Sequence, residues 1–246
     1  MSEADLVILL GRKLDYQLAF GSPAVFKEAK FIRISESALE LTDNRRGFPE
    51  ILSDPGVAIE LIYNKLNKPN FDETWINDIK NFHLEKIKKV LDKKVNKTGD
   101  DNKINPNLIF EKLKNIIDDD FIGIADGGDI LSFARVGLHS KYYMDSGTFG
   151  CLGVGIPYAI AASKVFKEKK IICVVGDGSF GFNAMELDTA VKNNSNICVI
   201  ISNNGGWNIE KHDQRLNYGN RVYATSLAHS NYCLLYTSPS PRDRIS

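Results

Sequence analysis

Ile171–Gly181 reads IICVVGDGSFG, and Ile197–Gly206 reads ICVIISNNGG. Each is an apolar run of strand length, rich in β-branched residues, that stops at a glycine-rich turn, which is how a strand buried on both faces reads. Phe121–Gly128, FIGIADGG, repeats the pattern upstream. The runs predict strands over Phe121–Ala125, Ile171–Val175 and Ile197–Ile201, with helices between them over Leu152–Phe166 and about Asn183–Lys192. Alternating strand and helix predicts an α/β fold, a parallel sheet flanked by helices, whose ligands bind outside the carboxyl ends of the strands. All three glycine-rich turns fall at that edge.

The residue types at the edge narrow the chemistry. Gly176, Gly178 and Gly181 satisfy G-x-G-x-x-G, so an NAD-binding oxidoreductase domain is one reading. It lacks the acid that should end the next strand, where Ser202, Asn203 and Asn204 stand, and it sets Asp177 against a bare pyrophosphate. No G-x-x-x-x-G-K-[ST] loop occurs. Asp177 and Asn204, joined by one crossover, offer hard oxygen ligands, and a carbonyl in the following turn can add a third. Such a set suits Mg²⁺ or Ca²⁺ bound together with a phosphate ligand. Ser179 and the N–H groups of Gly178, Ser179 and Phe180, at the start of a helix, can meet phosphate oxygens.

GDG at 176–178, twenty-four residues, then Asn203-Asn204 resembles the cofactor signature of thiamine diphosphate enzymes. Ser146–Ala162, SGTFGCLGVGIPYAIAA, is similar to the glycine-rich loop and helix of acetolactate synthase and of 2-hydroxyacyl-CoA or oxalyl-CoA lyases. Asp5–Gly21, DLVILLGRKLDYQLAFG, resembles the latter half of that family's middle domain. The resemblance implies Asp177, Asn204 and the Gly206 carbonyl as metal ligands. It implies Leu152 as the apolar prop of a bent cofactor, Gly150 as backbone facing the cofactor's amino group, and Gly127 and Gly128 on the loop facing the diphosphate. Gly176, Gly178, Ser179 and Phe180 complete the implied cofactor set. It further implies a thiamine diphosphate- and Mg²⁺-dependent lyase or carboligase acting on a 2-oxo acid or 2-hydroxyacyl substrate. Alternatives are a 2-hydroxyacyl-CoA or oxalyl-CoA lyase and a non-catalytic cofactor-binding fragment. The glutamate that activates the cofactor in this family belongs to a pyrimidine-binding domain not found in these residues. FAD or a CoA nucleotide is an option for the middle domain, with nothing in the residues to support it.

Around this centre the chain divides, as read, into residues 1–66 (the later part of a middle domain, with strands at Leu6–Leu10 and Phe31–Ile34), a helical connector over 67–107, a cofactor domain over 108–233, and a tail. The tail, LLYTSPSPRDRIS at 234–246, resembles a translated cloning scar, which implies that the native C-terminus is missing. Thirty-one basic residues balance thirty-one acidic ones, so no global field favours nucleic acid or an anionic membrane. Expected partners are a small-molecule substrate and sister subunits, as a homodimer or tetramer. Four cysteines without CxxC spacing, two of them (Cys173 and Cys198) in apolar runs where a buried thiol is expected, fit a reducing, cytoplasmic setting. Bland readings stand beside some residues: Glu186 as a helix-dipole partner, His212 and Asp213 as a surface pair or substrate neighbours, Trp207 as cover or packing, and His83, His139 and His229 as non-ligands.

Overall fold

The computed structural model describes residues 2–66, 73–92 and 103–233, so the tail at 234–246 lies outside the described residues. The chain divides into two compact units, 1–78 and 79–246.

The first unit runs β1 (Leu6–Leu10), α1 (Pro23–Phe26), β2 (Lys30–Ser35), α2 (Ala38–Thr42), β3 (Glu50–Leu52) and α3 (Pro55–Lys65). Its strands form a parallel sheet in the order β1-β2-β3. Leu9, Leu14, Phe26, Ala29 and Phe31 make its core, and the Phe26 and Phe31 rings meet edge to face at 5.2 Å. Arg33 is buried in β2. Its guanidinium is matched by the carbonyls of Leu41 and Asp43 and by an ion pair to the Asp43 carboxylate at 2.6 Å, as a buried charge requires. Helix α4 (Glu73–Asp92) follows, within the stretch read as connector.

The second unit continues with α5 (Pro106–Ile116), β4 (Phe121–Asp126), α6 (Asp129–Gly137), β5 (Tyr142–Met144), α7 (Gly155–Val165), β6 (Lys170–Gly176), α8 (Asp177–Asn183), α9 (Glu186–Lys192), β7 (Cys198–Ser202) and α10 (Asn208–Asn217). Its parallel sheet has the order β5-β4-β6-β7. The two-residue period of a strand divides its side chains between two helix layers. Phe121, Ala125, Ile172 and Val174 face α5 and α6 with Phe110, Ile130 and Ala134. Ile122, Ile124, Ile171, Cys173 and Val175 face α7 and α8 with Ile156, Ala159 and Phe180. Asp126 pairs in register with Val175, and Gly176 with Ser202, so the three strand tips end side by side.

Three readings need correction. The helix expected from Leu152 begins at Gly155, because Gly153 sits at φ +91° and the Gly153 and Gly155 N–H groups are taken by Asp126. The helix expected from about Asn183 begins at Glu186 as α9, and a separate helix, α8, starts directly at Asp177. Cys198 is exposed, because it opens β7 at the sheet's edge, whereas Cys173 is buried, and burial pushes its thiol up to about 12. No helix among the described residues is long and apolar enough to cross a membrane.

Candidate active-site cleft

Because β4, β6 and β7 end in register, whatever follows each strand is delivered to one place. Asp177 follows β6 as the first residue of α8, and its side chain is buried at 3% exposure. Asn204 lies two residues past β7. The turn after it is fixed by backbone: Gly205 N–H donates to Asp177 Oδ2 at 2.9 Å, and Gly206 N–H donates to Asn204 Oδ1 at 3.1 Å. Trp207 N–H and Leu227 N–H tie the same turn to the Thr225 and Gly205 carbonyls. The carboxylate and the amide therefore face one cleft across a shared, hydrogen-bonded loop.

That cleft is lined by Gly127 and Gly128 beyond β4, by Leu152, by Gly176, Asp177, Gly178 and Ser179 at the β6–α8 junction, and by Asn204 and Gly206. Nine of the residues expected at the site are thus brought together. Two are not on its wall. Gly150 is exposed, in the left-handed conformation at φ +62°. Phe180 turns its ring into the core, edge-on to Tyr232 at 5.1 Å, leaving only its backbone in the first turn of α8. His212 and Asp213 are both exposed, and Asp213 lines an adjoining cavity with Gln214, Tyr218, Arg221 and Tyr223 that shares Ile209 and Glu210 with this cleft. Glu186 is the first residue of α9, where a carboxylate complements the helix dipole.

The structure adds residues that the sequence reading does not single out. Asp129, at the start of α6, accepts from Asn204 Nδ2 at 3.4 Å, and Ile209 and Glu210 on α10 close the far side. Their signal in the sequence is slight, since a helix-initiating acid and an amphipathic helix are common. Trp207 is more than loose packing. Its ring lies so close over Gly178 that a Cβ there would meet it at 2.5 Å, so the two positions are matched as a large side chain on a residue with none.

The lining carries three carboxylates, Asp129, Asp177 and Glu210, and no lysine or arginine. A diphosphate brought to this wall would be repelled unless a cation intervened. Among the described residues no group of three His, Cys, Asp or Glu side chains is arranged to hold a metal. A cation here is therefore restricted to mixed oxygen donors (carboxylate, amide and backbone carbonyl), the set preferred by Mg²⁺ and Ca²⁺. The space enclosed is about 50 Å³, against roughly 30 Å³ for one water and some 300–1,000 Å³ for a typical ligand pocket. It has room for an ion and little of its hydration, and the larger cavity along α10 shares two of its wall residues, Ile209 and Glu210.

Comparison with known proteins agrees with this chemistry. The family model for the thiamine pyrophosphate enzyme C-terminal TPP binding domain matches residues 129–238, thiamine pyrophosphate being the same compound as thiamine diphosphate. The chain is 28% identical over 228 residues to a probable acetolactate synthase of Mycobacterium bovis, covering 91% of this chain and 40% of that protein. It is 27% identical over 241 residues to 2-hydroxyacyl-CoA lyase 2 of Caenorhabditis elegans (94% of this chain, 37% of the relative). To human 2-hydroxyacyl-CoA lyase 1 it is 28% identical over 218 residues (82% and 37%). The chain thus spans about two fifths of the length of these relatives. With an α/β sheet whose strand tips gather the GDG and Asn-Asn residues, residues 129–238 match the C-terminal TPP-binding domain of the thiamine pyrophosphate enzymes.

Proposed function

We propose that this cleft holds the diphosphate end of thiamine diphosphate through one Mg²⁺, and that the protein of which this domain is part is a carbon–carbon lyase or carboligase. One observation carries the reading: Asp177 and Asn204 share a cleft across a hydrogen-bonded turn, with Gly206 on the same wall. The donor set fits the group. The Asp177 carboxylate, the Asn204 amide oxygen and the Gly206 carbonyl would hold the ion. The Ser179 hydroxyl and the first N–H groups of α8 (those of Gly178, Ser179 and Phe180) would take phosphate oxygens, as would the backbone of Gly127 and Gly128. Leu152 would support the organic part, and Trp207 with Ile209 would keep water from the ion. When bound, the cofactor supplies a stabilised carbanion next to a carbonyl, and the protein contributes binding, orientation and electrostatics.

The relatives' names point to a 2-oxo acid or a 2-hydroxyacyl-CoA as the substrate class, with acetolactate synthase-like chemistry as the first reading and the acyl-CoA lyases as the second. Assembly as a homodimer or tetramer belongs to the same proposal, because the resemblance places the activating glutamate on another domain across a subunit interface. The test is titration of the chain with thiamine diphosphate, with Mg²⁺ and with EDTA. Binding is expected only with the cation. Metal-independent binding of NADH in EDTA, without thiamine diphosphate binding, would overturn the reading in favour of an oxidoreductase.

A further inference from the structure

The peptide that presents Leu152 is gripped from two sides by polar side chains that do not themselves line the cleft. Gly153 N–H donates to Asp126 Oδ2 at 3.0 Å, and Gly155 N–H donates to the same oxygen at 2.8 Å. From the other side, Asn183 Nδ2 donates to the Gly153 carbonyl at 2.6 Å. Asp126 is the last residue of β4 and Asn183 the last of α8, so two elements of the scaffold converge on the same short turn. The turn has little slack, because Gly153 is at φ +91° and a Cβ there would meet the Phe182 Cβ at 2.7 Å.

Asp126 is an expensive residue for its place. It is wholly inaccessible and shares the strand face of Ile122 and Ile124, where an aliphatic side chain would be the default. Its Oδ1 lacks a well-formed hydrogen bond, although the Ser179 hydroxyl and the Gly127 N–H act on the same carboxyl. A buried carboxyl with an unsatisfied oxygen costs stability. Here the cost is offset by two buried N–H groups, 27 and 29 residues along the chain, that would otherwise have no acceptor. Carboxyl, glycine turn and amide together have the form of a support that fixes the orientation of a neighbouring side chain.

We propose that Asp126 and Asn183 are positioning residues. They lock the Leu152–Gly153 turn and so determine how firmly the organic part of thiamine diphosphate is held, as distinct from its diphosphate. The proposal deepens the reading above and rests on it.

The test compares the 246-residue chain with its Asn183→Ala, Asp126→Ala and Asp126→Asn variants. Affinities are measured by calorimetry for thiamine diphosphate and for inorganic pyrophosphate, each with Mg²⁺, and amide hydrogen exchange is followed in parallel. Asn183→Ala and Asp126→Ala should speed exchange at Gly153 while the β4 and β6 amides stay protected. Both should weaken thiamine diphosphate binding about tenfold, the order expected for one lost buried hydrogen bond, and Asn183→Ala, on the side away from Ser179 and Gly127, should leave pyrophosphate binding unchanged. Asp126→Asn keeps an oxygen for the two N–H groups and should retain both affinities. If Asp126→Ala does not fold, Asn183→Ala carries the test. Equal losses for the two ligands in Asn183→Ala, or unaltered exchange at Gly153, would overturn the positioning role alone. A wild-type chain that binds neither ligand would overturn the cofactor reading and this proposal with it.

Discussion

Asp177 stands where one substitution separates the metal reading from its rivals. Replacing it by Ala removes the cleft's buried carboxylate and frees the Gly205 N–H. Mg²⁺-dependent affinity for thiamine diphosphate should then fall by more than roughly a hundredfold in a calorimetric titration. Asp213→Ala, on the wall of the neighbouring cavity, should leave that affinity as it is. Gly178 is constrained by the Trp207 ring, so Gly178→Ala must displace an indole. A cost of about 1–3 kcal/mol is expected in chemical or thermal unfolding, as for other overpacked sites. Of the residues at this scale, Asp177, Asn204 and Gly206 are legible from sequence because strand tips announce themselves by an apolar run ending in glycine. Asp129, Ile209 and Glu210 are not, since their place on the wall depends on how α6 and α10 pack.

The elements divide in the same way. β4, β6 and β7 are legible to within a residue at each end because an apolar, β-branched run closed by a turn is a strong strand signal, even for β7, which lies at the sheet's edge without a fully buried residue. β3 and β5 are three residues each, too short for any periodicity to register. α8 begins where the glycine motif implies a helix start, but its end at Asn183 is not legible, because DGSFGFN has the composition of a loop; burial of Ser179 and Phe180, not propensity, holds it helical. The true start of α7 was hidden because the acceptor that sets it, Asp126, is distant in sequence. That carboxyl makes a pH prediction. Burial raises its pKa, and the N–H groups of Gly155 and Gly153 only partly counter this. A carboxyl raised on folding adds stability below its unfolded pKa, near 4, and loses it as pH rises through the folded value. Urea midpoints should therefore shift in favour of Asp126→Asn, relative to wild type, between pH 4 and pH 7. Ile124→Ala, opening a void between β4 and α7, should cost about 2–5 kcal/mol by the same measurement.

For the molecule as a whole, the balance of thirty-one basic against thirty-one acidic residues predicts no retention on a DNA or heparin column at physiological ionic strength. The enclosed volume at the cleft matters more than the net charge. The ion-sized space at the strand tips adjoins the larger cavity along α10, with Ile209 and Glu210 on both walls. The exposed Phe182 of α8 lies tilted against the Trp207 ring at 6.2 Å and sets a second aromatic side chain beside the cleft's indole. Trp207 has a practical use here. The chain holds two tryptophans, the other being Trp75 on α4. With Trp75→Phe, the emission of a single indole lying against the GDG turn becomes an optical gauge of cation and cofactor loading, with no label and no turnover needed.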